Sequence, residues 1–368
     1  MAKERKIRVG ITQGDTNGIG YEVILKTLSC PEFCELCTPV VYGSSKIMAY
    51  HRKALKIQQF NVHIVGTDKP FNDNAVNLVE VGDPKAEIKV ELGQPDKQAG
   101  AAAFQALEAA VSDLKSGRID VMVTAPINKE TIQSDEFKFP GHTEYLETCL
   151  GEEGDKALMV LCNDSLRVAL VTTHLPIAQV APAITEDNIR KKLRLFNKSL
   201  KRDFGIGRPR IAVLALNPHS GENGLLGNEE KDVIAPAIQK SYDDEHLLCF
   251  GPFAADGFFG SESYRHFDGV LAMYHDQGLT AFKALSMDNG VNFTAGLPYV
   301  RTSPDHGTGY DIAGQNVANE NSLRQAIYTA IDICRNREHH DEANANPLKK
   351  MYFDRGKDNV VLDLTKDA

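Results

Sequence analysis

Short apolar runs recur along the chain, and stretches with helical periodicity separate them. Strands buried on both faces of a sheet read as continuous apolar runs rather than as alternating patterns. Runs of this kind predict strands at residues 6–12, 38–43, 120–126, 166–173, 210–218 and 268–274. Helical periodicity predicts helices at residues 98–117, 184–204 and 228–242. This alternation indicates βαβ units around a mainly parallel sheet, so the predicted fold class is α/β.

The length of the chain and two atypical segments suggest how it is organised. At 368 residues the chain exceeds one ordinary hydrophobic core, which suggests two domains with a cleft between them. Residues 61–97 alternate like hairpin strands and predict a β-rich excursion on one domain. Residues 336–368 are polar and predict a peripheral C-terminal tail.

Composition and charge narrow the class of protein. Hydrophobic residues make up 42% of the chain, and no apolar run approaches the roughly 18 residues that span a bilayer, which predicts a soluble protein without a membrane partner. A net charge of −9 and the lack of a dense basic patch argue against nucleic acid as a partner. Seven cysteines, an odd number, and an N-terminus without a signal-peptide pattern indicate reduced thiols in the cytoplasm.

Three of the predicted strands end on a histidine. His174 follows residues 166–173, His219 follows 210–218, and His275 follows 268–274. Ligands of open α/β sheets bind outside the carboxyl ends of the strands, so we expect the three imidazoles to meet there. Neutral imidazoles can share one divalent cation and leave coordination positions open for substrate. The pattern favours a catalytic zinc, cobalt, nickel or manganese site over three separate packed histidines.

Two further segments suit an anionic substrate. FPGHTEYLE, residues 139–147, presents His142, Thr143 and Glu144 after a Pro-Gly turn, where a helix start can bind a polar ligand. Lys283, Asn292 and Arg301 recur at intervals of nine in a region rich in glycine and proline. Such cations suit phosphate or carboxylate binding, because arginine can bind these groups bidentately. The alternatives are a capped helix for the first segment and ordinary surface cations for the second.

Together these motifs resemble the PdxA family of pyridoxal phosphate biosynthesis. The resemblance covers about residues 6–335 and rests on GDTNGIG, TAPINKE, FPGHTEYLE, VTTHLP, LNPHSGENGLLGNEE, DGFFG, AMYHDQG and VNFTAGLPYVRTSPDHGT. It implies two α/β/α domains around a cleft, as in isocitrate and isopropylmalate dehydrogenases, and a homodimer. The expected domains are 1–135 plus 292–335, and 136–291 for metal binding and dimerisation, followed by the tail 336–368.

The resemblance also implies roles for individual residues. His174, His219 and His275 are expected to bind a divalent metal: zinc, magnesium, cobalt or manganese. His275 is expected to be contributed across the dimer interface. The other expected roles are substrate binding by His142, Thr143, Lys283, Asn292 and Arg301, catalysis by Asp256, Asp276 and Lys283, and NAD binding by His306, Gly307, Thr308 and Asp311. Asp256 or Asp276 would either accept a proton from the substrate hydroxyl or orient a ligand histidine.

The activity that the resemblance implies is NAD-dependent, metal-dependent oxidation and decarboxylation of 4-phosphohydroxy-L-threonine to 3-amino-2-oxopropyl phosphate. Thr16, Asn17 and Pro304 depart from the family pattern and leave room for a dehydrogenase of 4-phosphothreonate or 4-phosphoerythronate. Alternatives of other classes are a three-histidine zinc hydrolase, an acyl-phosphate acyltransferase and a noncatalytic binding module. Formation of NADH distinguishes a dehydrogenase from these alternatives of other classes, because only a dehydrogenase transfers a hydride to NAD.

Overall fold

The computed structural model describes residues 5–66, 69–83, 89–286 and 288–346, and the strands of this part of the chain form one twelve-stranded sheet. In chain order the strands are β1 (Arg8–Thr12), β2 (Thr38–Gly43), β3 (Val62–Val65), β4 (Val76–Glu80), β5 (Val121–Thr124), β6 (Leu158–Cys162), β7 (Arg167–Leu170), β8 (Arg210–Leu214), β9 (Leu248–Phe253), β10 (Gly269–Ala272), β11 (Val291–Ala295) and β12 (Val300–Pro304). Their spatial order is β3-β4-β2-β1-β5-β12-β11-β6-β7-β10-β8-β9.

Helices connect most of these strands. They are α1 (Gly20–Leu28), α2 (Phe33–Leu36), α3 (Ser45–Ala54), α4 (Lys97–Lys115), α5 (His142–Leu150), α6 (Ile177–Ala183), α7 (Glu186–Arg202), α8 (Ala235–Glu245), α9 (Ala255–Gly260), α10 (His275–Ser286) and α11 (Asn321–Asn344). Short helical turns lie at Pro218–Gly224, Glu230–Ile234 and Ser263–His266. Within the described ranges, none of the helices has both the length and the apolar character that crossing a membrane requires.

The predicted strands and helices are confirmed, and so is the α/β class. The six predicted strands correspond to β1, β2, β5, β7, β8 and β10, and the three predicted helices to α4, α7 and α8. The hairpin-like reading of residues 61–97 is wrong, because β3 and β4 pair in parallel. The connection between them is therefore a crossover and not a tight turn. Residues 84–88 of that segment lie outside the described residues.

Strand direction divides the sheet into two parallel halves. The strands from β3 to β12 in the spatial order are parallel to one another, and so are those from β7 to β9. Antiparallel pairs join β12 to β11, β11 to β6 and β6 to β7 between the halves. The division between the two expected domains coincides with the β11–β6 pair. The domain boundaries themselves stay a prediction.

The two faces of the sheet carry different hydrophobic cores. One face bears a continuous apolar cluster that crosses both halves and includes Ile11, Phe293 and Leu271. The opposite face bears two separate clusters, one around Met122 in the first half and one around Leu161 in the second. The central strands between these two clusters therefore offer a place where polar side chains can face a cleft.

Helix α11 corrects the predicted boundary of the C-terminal tail. It continues to Asn344, and Arg337 within it is buried, with 6% of its surface exposed. Nε of Arg337 donates to Oδ1 of Asp203 at 2.7 Å, and Nη1 donates to the carbonyl oxygen of Pro298 at 2.9 Å. The boundary at residue 336 is wrong, because the helix and its buried ion pair belong to the folded unit. Residues 347–368 of the predicted tail lie outside the described residues.

We expect the substitution Arg337→Ala to lower the free energy of unfolding by about 3–5 kcal/mol, because it leaves the buried Asp203 carboxylate without its cation. Arg202→Ala is the matched control, since Arg202 pairs with the half-exposed Asp341 at 2.7 Å and should contribute at most about 1 kcal/mol. Chemical unfolding followed by circular dichroism measures both. Equal losses in the two variants would contradict the importance of the buried pair.

Candidate active site

The register of the central strands places a group of polar side chains on the divided face of the sheet. Arg301 of β12 pairs with Met122 of β5, and Asn292 of β11 pairs with Leu161 of β6. Because paired residues point to the same face, Arg301 and Asn292 share the face that carries the two separate clusters. Thr124, two residues after Met122, points the same way. The cleft between the clusters is thus lined by polar groups.

Arg301 is a buried cation without a carboxylate among its hydrogen-bond partners. It is 2% exposed, and its guanidinium donates to Oγ1 of Thr124 at 2.6 and 3.1 Å and to Oγ1 of Thr294 at 3.1 Å. The threonine hydroxyls satisfy these N–H groups but do not neutralise the charge. Burial lowers the pKa of Arg301 to about 9, so the side chain is still protonated at neutral pH but its charge is poorly compensated. An anionic ligand would supply that compensation.

All five residues expected to bind substrate line one cavity beside this guanidinium. The cavity has a volume of about 270 Å³, and His142, Thr143, Lys283, Asn292 and Arg301 contribute to its wall. These residues come from α5, α10, β11 and β12, which are distant in the chain. The tertiary structure therefore brings the predicted substrate set together.

Three buried polar atoms of this cavity wall have no hydrogen-bond partner within the part of the chain that the structure describes. They are Nε2 of His142, Oδ1 of Asn292 and Nε2 of His306. Buried polar groups are normally paired, so each of these atoms calls for a bound ligand or water. Burial, with the nearby charges of Arg301 and Lys129, holds the pKa of His142 well below its usual range. His142 is consequently neutral at physiological pH.

Lys283 differs from Arg301 because it has a carboxylate neighbour. Its Nζ lies 3.3 Å from Oδ1 of Asp305 and donates to the carbonyl oxygen of Asp305 at 3.2 Å. Burial raises the pKa of Asp305, while Lys283 opposes that shift. About half of the Lys283 side chain is exposed. Because its side chain is not enclosed, Lys283 can thus turn towards a ligand.

Sequence reasoning missed four polar residues of this cavity: Thr124, Lys129, Ser303 and Asp305. Thr124 and Lys129 belong to TAPINKE, which begins at the last residue of β5, and Ser303 and Asp305 belong to VNFTAGLPYVRTSPDHGT. Both motifs contribute to the resemblance, so they contained the available signal. Their role depends on packing across the sheet, which the motifs themselves do not specify.

Two of the three expected metal ligands meet within one chain. Strand β10 pairs in parallel with both β7 and β8, so the strands before His174, His275 and His219 are neighbours. The imidazole centroids of His174 and His275 lie 5.9 Å apart, with their planes at 41°. Zinc–nitrogen bonds of about 2.0–2.1 Å allow two rings at this distance to share one ion.

Each of these two imidazoles also has a carboxylate on its Nδ1 side. Nδ1 of His275 lies 2.7 Å from Oδ1 of Asp276, and Nδ1 of His174 lies 3.5 Å from Oε1 of Glu144. Metal-binding histidines commonly present one ring nitrogen to a carboxylate and the other to the metal. The donor set at His174 and His275 therefore fits a divalent cation bound through Nε2.

His219 lies apart from this pair. Among the described residues, no group of three or more histidine, cysteine, aspartate or glutamate side chains is placed to hold one ion. His219 is exposed in the turn Pro218–Gly224 that follows β8. The three-histidine site stays a prediction, and a single chain assembles two of its members.

The residues expected to bind NAD lie in one loop beside the cavity. His306 and Gly307 contribute to the cavity wall, and the space where a Gly307 side chain would stand is open. The carbonyl oxygen of Thr308 accepts a hydrogen bond from the backbone N–H of Ile19 at 2.9 Å, and Asp311 is exposed. A fixed loop with open space above a glycine fits a cofactor that approaches the substrate from this side.

The two candidate aspartates have different surroundings. Asp276 begins α10 next to His275 and contacts its ring, which favours an orienting role. Asp256 is exposed in the first turn of α9, and it does not contribute to the described wall of the cavity. The geometry of one chain therefore brings Asp276, but not Asp256, to an expected metal ligand.

Comparison with known proteins shows the family to which the chain belongs. Residues 35–330 match the family described as Pyridoxal phosphate biosynthetic protein PdxA. The chain belongs to the PdxA family. A PdxA relative from Bacteroides thetaiotaomicron, named 4-hydroxythreonine-4-phosphate dehydrogenase, is 58% identical over 98% of each chain.

Two further relatives are informative, because one is a solved structure that supports the fold and the other is named for a different substrate. The crystal structure of the 4-hydroxythreonine-4-phosphate dehydrogenase from Klebsiella pneumoniae has a TM-score of 0.75 and 33% identity, covering 89% of this chain and 99% of that chain. A relative from Oceanobacillus iheyensis, provisionally named D-threonate 4-phosphate dehydrogenase, is 37% identical over 89% of this chain and 98% of its own length.

We expect Arg301→Met to weaken the binding of inorganic phosphate by about 100-fold or more, because two charge-assisted hydrogen bonds are lost. The same variant should keep or increase the free energy of unfolding, since it removes a buried and poorly compensated charge. Isothermal titration and chemical unfolding measure the two effects. Arg118→Met is the control, because Arg118 already pairs with Asp113 at 3.1 Å outside the cavity. A large loss of stability in Arg301→Met would contradict this account.

Proposed function

We propose that this protein is a 4-hydroxythreonine-4-phosphate dehydrogenase. It oxidises and decarboxylates 4-phosphohydroxy-L-threonine to 3-amino-2-oxopropyl phosphate, with NAD and a divalent metal, in pyridoxal phosphate biosynthesis. The observation that carries the proposal is the buried Arg301 guanidinium, which faces a cavity bordered by His174 of the imidazole pair. Family membership and the 58% identical relative support the same activity. Seven free thiols fit the reducing cytoplasm as its location.

The cavity residues divide the work of binding a phosphorylated hydroxy acid. Arg301 supplies the permanent buried charge, and Lys283 adds a second cation that can leave Asp305 for the phosphate. His142 and Asn292 have unpartnered buried atoms that can bind hydroxyl or amino groups of the substrate. Because Arg301, His142 and Asn292 are fixed before substrate arrives, binding orients the substrate at little cost in side-chain entropy.

The imidazole pair provides the metal-binding part of the site. A divalent cation held by His174, His275 and His219 would act as a Lewis acid that favours loss of the hydroxyl proton and stabilises oxygen charge after decarboxylation. Bound NAD would accept the hydride. Asp276 holds Nδ1 of His275, and this contact leaves Asp256 and Lys283 as candidates to carry the substrate proton.

A second copy of the chain is proposed to complete the site. Leu175 and Ile177 follow His174, and Leu225 and Leu226 follow His219, and all four side chains are large, apolar and at least 41% exposed. Exposed apolar groups beside a polar site are typical of a protein interface. A homodimer would cover them and would bring the His219 of one subunit to the His174–His275 pair of the other. The geometry thus favours His219, rather than His275, as the ligand donated across the interface.

We expect metal-loaded protein to produce NADH absorbance with 4-phosphohydroxy-L-threonine, and a chelator to abolish the signal until metal is restored. Side-by-side assay with 4-phosphothreonate distinguishes the alternative substrate. Activity on 4-phosphothreonate alone would overturn the substrate assignment while keeping the chemistry. Turnover of a phosphorylated substrate without NADH formation would favour the zinc hydrolase, and full activity after chelation would exclude the metal role.

We expect His219→Ala and His275→Ala each to lose metal and turnover, and a mixture of the two refolded together to recover part of the activity. In a mixed dimer one site would keep the His174–His275 pair of one subunit and His219 of the other. His174→Ala mixed with His275→Ala should recover nothing, because both changes affect the pair from one chain. Recovery in both mixtures would show that His275 crosses the interface instead.

A further inference from the structure

The segment that carries His219 is a turn of left-handed helix. His219, Ser220, Gly221, Glu222 and Asn223 have φ angles of 52°, 52°, 78°, 42° and 55°. Four of these five residues are not glycine, and each L-residue in this conformation costs roughly 1–2 kcal/mol. Single residues adopt it often, but a consecutive run is rare. Contacts from elsewhere in the fold must therefore hold the turn in place.

A buried carboxylate anchors the start of this turn. Glu230 is 5% exposed, and its Oε1 accepts hydrogen bonds from the backbone N–H groups of Leu216 at 2.8 Å and Asn217 at 2.7 Å. Its Oε2 accepts from Nδ2 of Asn217 at 3.1 Å. These two residues immediately precede Pro218, where the turn begins. One side chain consequently fixes the direction in which the chain enters the turn.

The middle of the turn lies against the same carboxylate. A Cβ atom added to Gly221 would stand 2.6 Å from Oε2 of Glu230 and 2.7 Å from the carbonyl oxygen of Gly227. The carbonyl oxygen of Gly221 accepts from the backbone N–H of Leu226 at 3.0 Å. The hydroxyl of Ser220 donates to the carbonyl oxygen of Pro252 at 3.2 Å. The backbone is thus held on both sides, while the His219 side chain remains exposed.

We propose that Glu230 is a positioning residue that holds the left-handed turn and so presents His219 to the metal. This inference rests on the proposed role of His219 as a ligand. Glu230 does not contact the substrate cavity, so its effect passes through the backbone at residues 216–221. A ligand held in place before the ion arrives loses little conformational freedom on binding, which raises the affinity for the ion.

The test compares metal affinity among variants of the full-length protein by competition with a chromophoric chelator. We expect Glu230→Ala to weaken Zn²⁺ or Co²⁺ binding by about 10- to 100-fold, the effect typical of residues that orient ligands. The visible spectrum of the Co²⁺-loaded variant should change, because the coordination geometry relaxes. The binding of inorganic phosphate should stay at the wild-type value, since Arg301 and its cavity are untouched.

Matched variants separate this role from a general loss of structure. Glu229→Ala removes a neighbouring carboxylate that accepts only from the Asn217 side chain, at 2.7 Å, and should bind metal nearly as the wild type does. Glu230→Gln keeps an oxygen for the two backbone N–H groups and should restore most of the affinity. Gly221→Ala should reproduce the defect by displacing the turn from Glu230.

The outcomes also separate this inference from the proposed function. If His219→Ala binds metal as tightly as the wild type, His219 is not a ligand and the proposed metal site fails. If His219→Ala loses metal while Glu230→Ala and Gly221→Ala bind it normally, the metal site stands and the positioning role of Glu230 is refuted. If Glu230→Ala does not fold, the comparison of Glu230→Gln with Gly221→Ala decides the question.

Discussion

The register of the antiparallel strands at the centre of the sheet is the constraint on which the site depends. Because side chains alternate between faces, a shift of one residue in β12 would turn Arg301 into the continuous apolar core. In the observed register Arg301, Asn292 and Thr124 face the gap between the two clusters of the opposite face. The same reversal of strand direction separates two parallel halves, each with its own cluster beside the cleft. The position of the residues expected to bind substrate and the division of the core into two clusters thus both follow from the antiparallel strands at the centre of the sheet.

Several groups of the site are in states that folding alone does not favour. Arg301 is charged and buried, His142 and His306 have unpartnered buried nitrogens, and the turn at His219 is left-handed. The first two features raise the free energy of the folded chain until an anion or a hydrogen-bonding ligand binds, and the left-handed turn costs free energy that contacts elsewhere in the fold must offset. Unfavourable local states that the surrounding structure maintains are common where binding or catalysis takes place. Arg301, His142 and His306 border one cavity, and the left-handed turn follows β8.

Carboxylates link the parts of the site to one another. Glu144 lies on the substrate-binding helix α5 and approaches His174, while Asp276 contacts His275 and Glu230 supports the segment of His219. Glu144 and Asp276 approach the rings of their ligands, whereas Glu230 accepts from the backbone of Leu216 and Asn217, just before His219. Such contacts set ring orientation without occupying a coordination position. Through the single side chain of Glu144, they also join the cavity wall at α5 to the imidazole pair.

Much of the fold could be predicted from the sequence, because strands that are buried on both faces of a sheet appear as continuous apolar runs. It determined the α/β class and the strands that precede His174, His219 and His275, and its motifs predicted the residues from His142 to Arg301 that line the cavity. Only the tertiary structure decided the parallel pairing of β3 with β4, the inclusion of Arg337 in the folded unit, and the entry of Thr124, Lys129 and Asp305 into the cavity. It also decided that His174 and His275 meet while His219 stays apart. These features depend on strand register, on charges buried between distant segments and on a left-handed backbone turn, and local hydrophobic periodicity specifies none of them.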